Sequence, residues 1–298
     1  TTATFGAGTG DITLSSANNF GTVVISSADD VTITDAVALT FGTSDISGDL
    51  IAVATTGDIT DSGTITVGGT ASFTTSASGA DITLNPPDIT GNITFTTTGT
   101  DADVTLVGVS GSDLIIDTAS VINGDLTVTT SGGGLIKPEA SGTLTTSDTQ
   151  IYNGPVKLTG DVILASSNNG VITFNSTINA TTAGADDLTI NTTGDTEFAG
   201  IVGGTTALGT LATLTGGTAN INTTGVKAAV LDFNGAVEID VNTTLTGTTS
   251  IDFASTVDGL AGTEELTLTS PAIAFNGAVG NGVTLAELTT TTETGTST

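Results

Sequence analysis

Short apolar pairs at alternate positions recur along the first half of the chain. Ile12 and Leu14, Val23 and Ile25, Val31 and Ile33, Leu39 and Phe41, Ile65 and Val67, Ile82 and Leu84, Ile93 and Phe95, and Val104 and Leu106 are each bounded by Gly, Asp, Asn or Ser. Side chains two residues apart share one face of an extended segment, so these pairs predict strands of about three to five residues with one face turned inward. The apolar residues are mostly Val, Ile and Leu, and Thr is abundant; β-branched residues favour strands, and almost no helix is expected.

The second half adds a longer signature. Phe233–Val237 reads FNGAV and returns at Phe275–Val279, with variants starting at Tyr152, Phe174, Phe198 and Phe253. The successive starts lie 22, 24, 35, 20 and 22 residues apart, and Phe20 to Phe41 and Phe73 to Phe95 give 21 and 22. One period of about 20–24 residues therefore runs through the chain. A unit that short cannot enclose a core alone, but stacked copies give parallel sheets around a shared interior. The expectation is an all-β parallel β-helix, or β-solenoid, of about 13 coils at ~4.8 Å per strand. Its interior ladder would be Phe174, Phe198, Phe233, Phe253 and Phe275, stacked coil above coil.

Three segments follow: solenoid repeats over 1–146, FNGAV-type repeats continuous with them over 147–286, and a Thr-rich tail or linker over 287–298. Residues 203–217 are read as a long loop or a coil lacking its Phe. Pro86, Pro87 and Pro138 are expected in loops. Gly-Asp precedes apolar alternation at Gly10, Gly57, Gly124 and Gly160, where Asp bonding its own backbone in a turn is preferred to a calcium ligand. No Met occurs in the sequence, so the chain is read as a processed or interior piece of a longer protein.

Charge narrows the function classes. The 298 residues carry 31 acidic side chains against three lysines, with a formal charge of −28 and 37% hydrophobic content. That hydrophobic content can bury a core, so the acidity does not imply disorder. Phosphate recognition needs cations that are scarce here, so nucleic acid and anionic membrane surfaces are not expected partners. Without Cys there is no disulfide or thiolate metal site, and no apolar run approaches the ~20 residues that would cross a membrane.

Parallel β-helices can host sugar-cleaving sites, which need two carboxylates on one side of a groove. The pairs Asp29-Asp30, Asp186-Asp187 and Glu264-Glu265 would point to opposite faces in a strand, and neither His nor Arg is present, so no enzyme and no catalytic residue is expected. Asp101 and Asp103 are the candidate metal ligands, for diffuse, weak calcium binding rather than a built site; no other cofactor is expected. Thr-x-Thr at Thr32, Thr64, Thr94, Thr127 and Thr267 raises an ice-binding face as an alternative function, and a carbohydrate-binding module is the other alternative, for which Tyr152 and the three lysines are scant aromatic and basic material. Acceptor triplets for glycosylation begin at Asn92, Asn175, Asn179, Asn191, Asn222 and Asn242.

Gly10–Gly42, Gly57–Leu84 and the FNGAV series resemble the repeats of very large secreted bacterial exoproteins of the filamentous haemagglutinin type. The resemblance implies a right-handed coil, secretion to the extracellular space or cell surface, and service as an adhesin shaft or surface fibre. The expected partners are then a host or environmental surface and further copies of the chain, because a solenoid's unpaired end strands pair with one another unless capped.

Overall fold

The computed structural model describes residues 1–214 and 216–292. Every regular element among them is a β-strand, most of three to six residues, and no helix is present. The strands belong to two compact units, residues 1–139 with 144–148 and residues 140–143 with 149–298.

In the first unit one parallel sheet is built from Thr2–Gly6, Thr22–Ser27, Leu39–Phe41, Ile59–Asp61, Ile82–Leu84, Val104–Val107 and Leu126–Thr129, each strand pairing with the next. A second sheet starts with Ile12–Asn18, Val31–Asp35, Leu50–Ala54, Ala71–Thr75 and Asn92–Thr97. Ser44–Ile46, Ile65–Val67 and Pro87–Ile89 make a short third sheet. The chain visits the sheets in turn, which is the path of a β-solenoid. The second unit repeats the scheme, with Gln150–Asn153, Ile172–Phe174, Thr196–Phe198, Thr218–Ile221, Ala236–Ile239 and Val257–Gly259 forming one sheet. Seven coils in the first unit and six in the second make thirteen. Register partners lie 17 to 26 residues apart, the extremes being Asn18 on Asp35 and Val162 on Leu188.

Alternation explains why these residues form strands. Of the eight apolar pairs, every member is buried except Leu14, which is half-buried in the second strand of the stack. Inward residues of one coil therefore lie on inward residues of the next, and the core is a set of columns. Corners need close main-chain approach: Gly69 N–H donates to Gly48 O and Gly91 N–H to Gly69 O, each at 2.9 Å, and a Cβ on Gly91 would stand 2.5 Å from Gly69 O.

The aromatic ladder divides in two. Tyr152, Phe174 and Phe198 stack on one sheet, with ring centroids 5.2 and 5.6 Å apart. Phe233, Phe253 and Phe275 stack on a different sheet, 5.5 and 5.1 Å apart. Ile221 is the residue in register on Phe198, and Thr213 precedes Phe233. The expected single column of Phe174, Phe198, Phe233, Phe253 and Phe275 is thus two columns, and the 35-residue step marks the change of sheet. Four of these rings are fully buried, whereas Phe275 is half-buried.

Of the two alternatives for 203–217 the coil lacking its Phe is the one found, and two smaller expectations are corrected. Leu208–Thr213 is a strand, so 203–217 contains a coil whose Phe position is held by Thr213; residue 215 lies outside the described residues. Glu287–Thr291 is a strand in register on Glu265–Thr269, because main-chain ladder bonds do not require apolar alternation; residues 293–298 of the expected tail lie outside the described residues. Pro87 opens one strand and Pro138 closes another, both facing inward, since a strand end loses at most one ladder bond to a missing N–H.

Candidate functional surface

Polar side chains form columns as regular as the apolar ones. On the first sheet of the first unit, Thr2, Thr22, Thr40, Thr60, Thr83, Thr105 and Thr127 lie in unbroken register, one per coil. They alternate with buried residues such as Phe41, Ile59, Ile82 and Val104, and so point outward. The hydroxyls of Thr40 and Thr60 are 3.0 Å apart. Five Thr-x-Thr pairs seen in the sequence do not make this column: Thr32 and Thr94 sit on the second sheet, Thr66 on the third, and only Thr127 belongs to it.

Two residues before four of these threonines stands an aspartate. Asp58 accepts the main-chain N–H of Asp81 at 3.0 Å, Asp81 that of Asp103 at 2.9 Å, and Asp103 that of Asp125 at 2.8 Å. A second carboxylate column runs Asp11, Asp30, Asp49, the last accepting from both the N–H and the hydroxyl of Thr70. In the second unit Asp161 accepts from Asp187 N–H and Asp187 from Thr210 N–H. The Gly-Asp aspartates are therefore turn residues of a particular kind. The carboxylates of Asp11, Asp58 and Asp161 hold the coil that follows, because the corner leaves an N–H of the next coil without a ladder partner.

The candidate metal ligands Asp101 and Asp103 do not share one side of an extended segment. Asp101 has φ +57°, a turn conformation, and Asp103 is engaged with Asp125. Among the described residues no group of three or more His, Cys, Asp or Glu side chains is placed to hold a metal ion. The acidic neighbours affect one another: burial, with help from Asp103, Asp58 and Asp101, holds the Asp81 carboxyl above the usual carboxylate range, despite the Asp103 N–H. Burial raises Asp61 as well, although its Oδ1 accepts the Asn85 N–H.

The adjacent acidic pairs are also occupied by hydrogen-bond donors. Asp186 is buried and accepts the N–H groups of Thr181 and Thr182, while Asp187 serves Thr210. Asp30 holds the Asp49 N–H and Asp29 the Ser47 hydroxyl. Two grooves lie in the second unit. One, of about 660 Å³, is lined by Ile251, Pro271, Ile273 and Phe275, with Asp252 as its titratable side chain. The other, of about 340 Å³, brings Asp161 and Asp187 together. Tyr152 is fully buried; its hydroxyl donates to Gln150 Oε1 at 2.8 Å, and burial pushes the phenol up, keeping it protonated. Of the glycosylation triplets, Asn179 and Asn242 use their side-chain oxygens to cap Thr205, Thr206 and Glu265.

Sequence reasoning named the aspartates at Gly-Asp and the scattered Thr-x-Thr pairs, but missed the seven-residue threonine column. The signal was present as D-x-T at 58, 81, 103 and 125, spaced by one coil.

The class defined by these features is the parallel β-solenoid repeat protein. A family described as repeats of unknown function (DUF5649) matches residues 1–27 and 28–96. No curated protein and no solved structure matches the chain.

Proposed function

We propose that this chain is a non-enzymatic structural segment of a secreted, cell-surface or extracellular protein, acting as the shaft of an adhesin or as part of a fibre. The observation that carries the reading is the use made of the polar side chains. In both units aspartate carboxylates cap the next coil, so groups that could serve chemistry serve stacking instead. A net charge of −28 on an outward polar surface favours solubility and disfavours tight lateral packing at low salt. Copies of the chain and an external surface are the partners this reading carries.

An antibody raised against the chain, applied to intact and lysed source cells and to their medium, tests it. Signal on intact cells or in the medium, removed by external protease, is expected. Confinement of the signal to lysed cells overturns the proposal. Electron microscopy of the purified chain tests self-association separately, with filaments as the supporting result.

The threonine column favours a second reading, recognition of ordered water. Seven hydroxyls repeat at ~4.8 Å on a sheet face, a regularity that few flexible surfaces have. The purified chain would then shape growing ice crystals and slow their recrystallisation, and Thr60→Lys with Thr83→Lys would abolish the effect. No effect on ice growth by the native chain discards this reading.

A further inference from the structure

A joint between two coils of the second unit contains two carboxylates in opposite circumstances. Asp240 follows the strand Ala236–Ile239, and its N–H donates to Ile221 O at 3.1 Å in the preceding coil. Its Oδ1 is shielded from solvent and has no hydrogen-bond partner. The turn Leu260–Glu264 belongs to the next coil and rests on this segment: Leu260 N–H donates to Ile239 O at 3.0 Å and Glu265 N–H to Asn242 Oδ1 at 3.0 Å.

Within that turn the Glu264 side chain is buried at 4% exposure. Its Oε2 accepts the N–H groups of Ala261, Gly262 and Thr263 at 3.1, 2.8 and 3.1 Å, and its Oε1 the Thr263 hydroxyl at 3.0 Å. Gly262 has φ +81°, a conformation that suits glycine and curls the three N–H groups around one oxygen. Burial opposes the charge on Glu264, but these donors outweigh it and hold its carboxyl below the usual range.

Asp240 has no such donors. Burial foremost, then Glu197, Glu238 and Glu264, push its carboxyl up to about 6. Glu197 lies two coils back and Glu238 on the strand that Asp240 follows, each in register with Asn220, and Asp258 is in register on Glu238. The charged groups that act on Asp240 are thus all carboxylates, and Lys227 sits on the other sheet opposite Thr246.

We infer that Asp240 and Glu264 make this coil-to-coil joint acid-tightened: proton uptake by Asp240 seats the Leu260–Glu264 turn, and ionisation of Asp240 against Glu264 loosens it. The neutral carboxyl removes the repulsion and gives the shielded side chain a hydrogen to donate, while Glu264 stays ionised in its ring of donors. The joint is a site where the stack yields first as the medium becomes alkaline.

Amide hydrogen exchange at Ala261, Gly262 and Thr263, followed from pH 5 to 7.5 and corrected for the intrinsic rate, tests the inference. Protection should fall at least ~fivefold on passing upward through pH 6. Asp240→Asn should hold protection flat over that range. A fall of equal size in Asp240→Asn, or flat protection in the native chain, overturns it. A carboxyl NMR titration of native Asp240 gives a check independent of any variant, and a midpoint below 4.5 also overturns it.

Discussion

Thr97 lies in register directly on Thr75, one coil apart on the same buried column, yet their hydroxyls differ. Thr97 Oγ1 accepts the Asn123 N–H at 2.7 Å, whereas Thr75 Oγ1 is buried without a partner. An unpaired buried hydroxyl costs stability, while a paired one returns its desolvation. Thr75→Val should therefore stabilise the first unit by about 1 kcal/mol, and Thr97→Val should destabilise it by about 1–2 kcal/mol. Denaturant melts of the two variants check this; the same sign for both would contradict the assignment.

The ring of Phe253 is held between Phe233 and Phe275, at 5.5 and 5.1 Å. Phe253→Ala should cost about 3–5 kcal/mol, as should Phe233→Ala, because a neighbouring coil cannot close over the void without breaking its ladder bonds. Phe275→Ala, at a half-buried position, should cost clearly less. Equal losses at all three would show that the stack is not what sets the cost.

Gly91 occupies a corner where a Cβ would meet a main-chain oxygen, Gly69 O, at 2.5 Å. Backbone cannot rotate away as a side chain would, so Gly91→Ala should cost roughly 1–3 kcal/mol through displacement of the coil. A neutral substitution, measured by thermal unfolding, would mean that the corner has slack.

The carboxylate columns set a response to salt and cations. Asp58, Asp81, Asp103 and Asp125 stand one coil apart, so screening should raise the melting temperature between 10 and 500 mM NaCl. Ca²⁺ and Mg²⁺ at equal ionic strength should act alike, as screening ions do; a rise specific to Ca²⁺ would establish a built site. Asp103→Ala should cost about 1 kcal/mol by leaving the Asp125 N–H without its acceptor.

Acid should act on the second unit with two opposite signs. Asp240 has a folded pKa of about 6, above its unfolded value of 3.8, so its contribution is complete below 3.8 and is lost as pH rises through 6. Glu264 is shifted below its unfolded 4.5, so its contribution is present above that value and is lost on further acidification. Unfolding of the second unit should therefore be most difficult between about pH 3.8 and 4.5, where Asp240 is still largely protonated and Glu264 largely ionised, and Asp240→Asn should remove the decline from there up to pH 6.

Much of this was legible in the chain. Alternation such as Ile82 and Leu84 specifies which side chains go inward, since neighbours in a strand must face opposite ways. The recurrence of Phe at one-coil intervals specifies that coils stack, since no single coil can bury its own apolar face. Strand content, coil length and the inward residues follow from these local rules.

Which column a residue joins was decided in three dimensions. Phe198 and Phe233 share a motif but lie on different sheets, because the coil between them carries Thr213 at the position where Phe233 begins its stack. Asp103 and Asp125 share the D-x-T spacing, and it is register that brings the Asp103 carboxylate to the Asp125 N–H of the next coil. The seven threonines from Thr2 to Thr127 become a column only through register, which coils of unequal length set individually. Sequence determines what each coil must bury; the stacking of one coil on another decides what its surface presents.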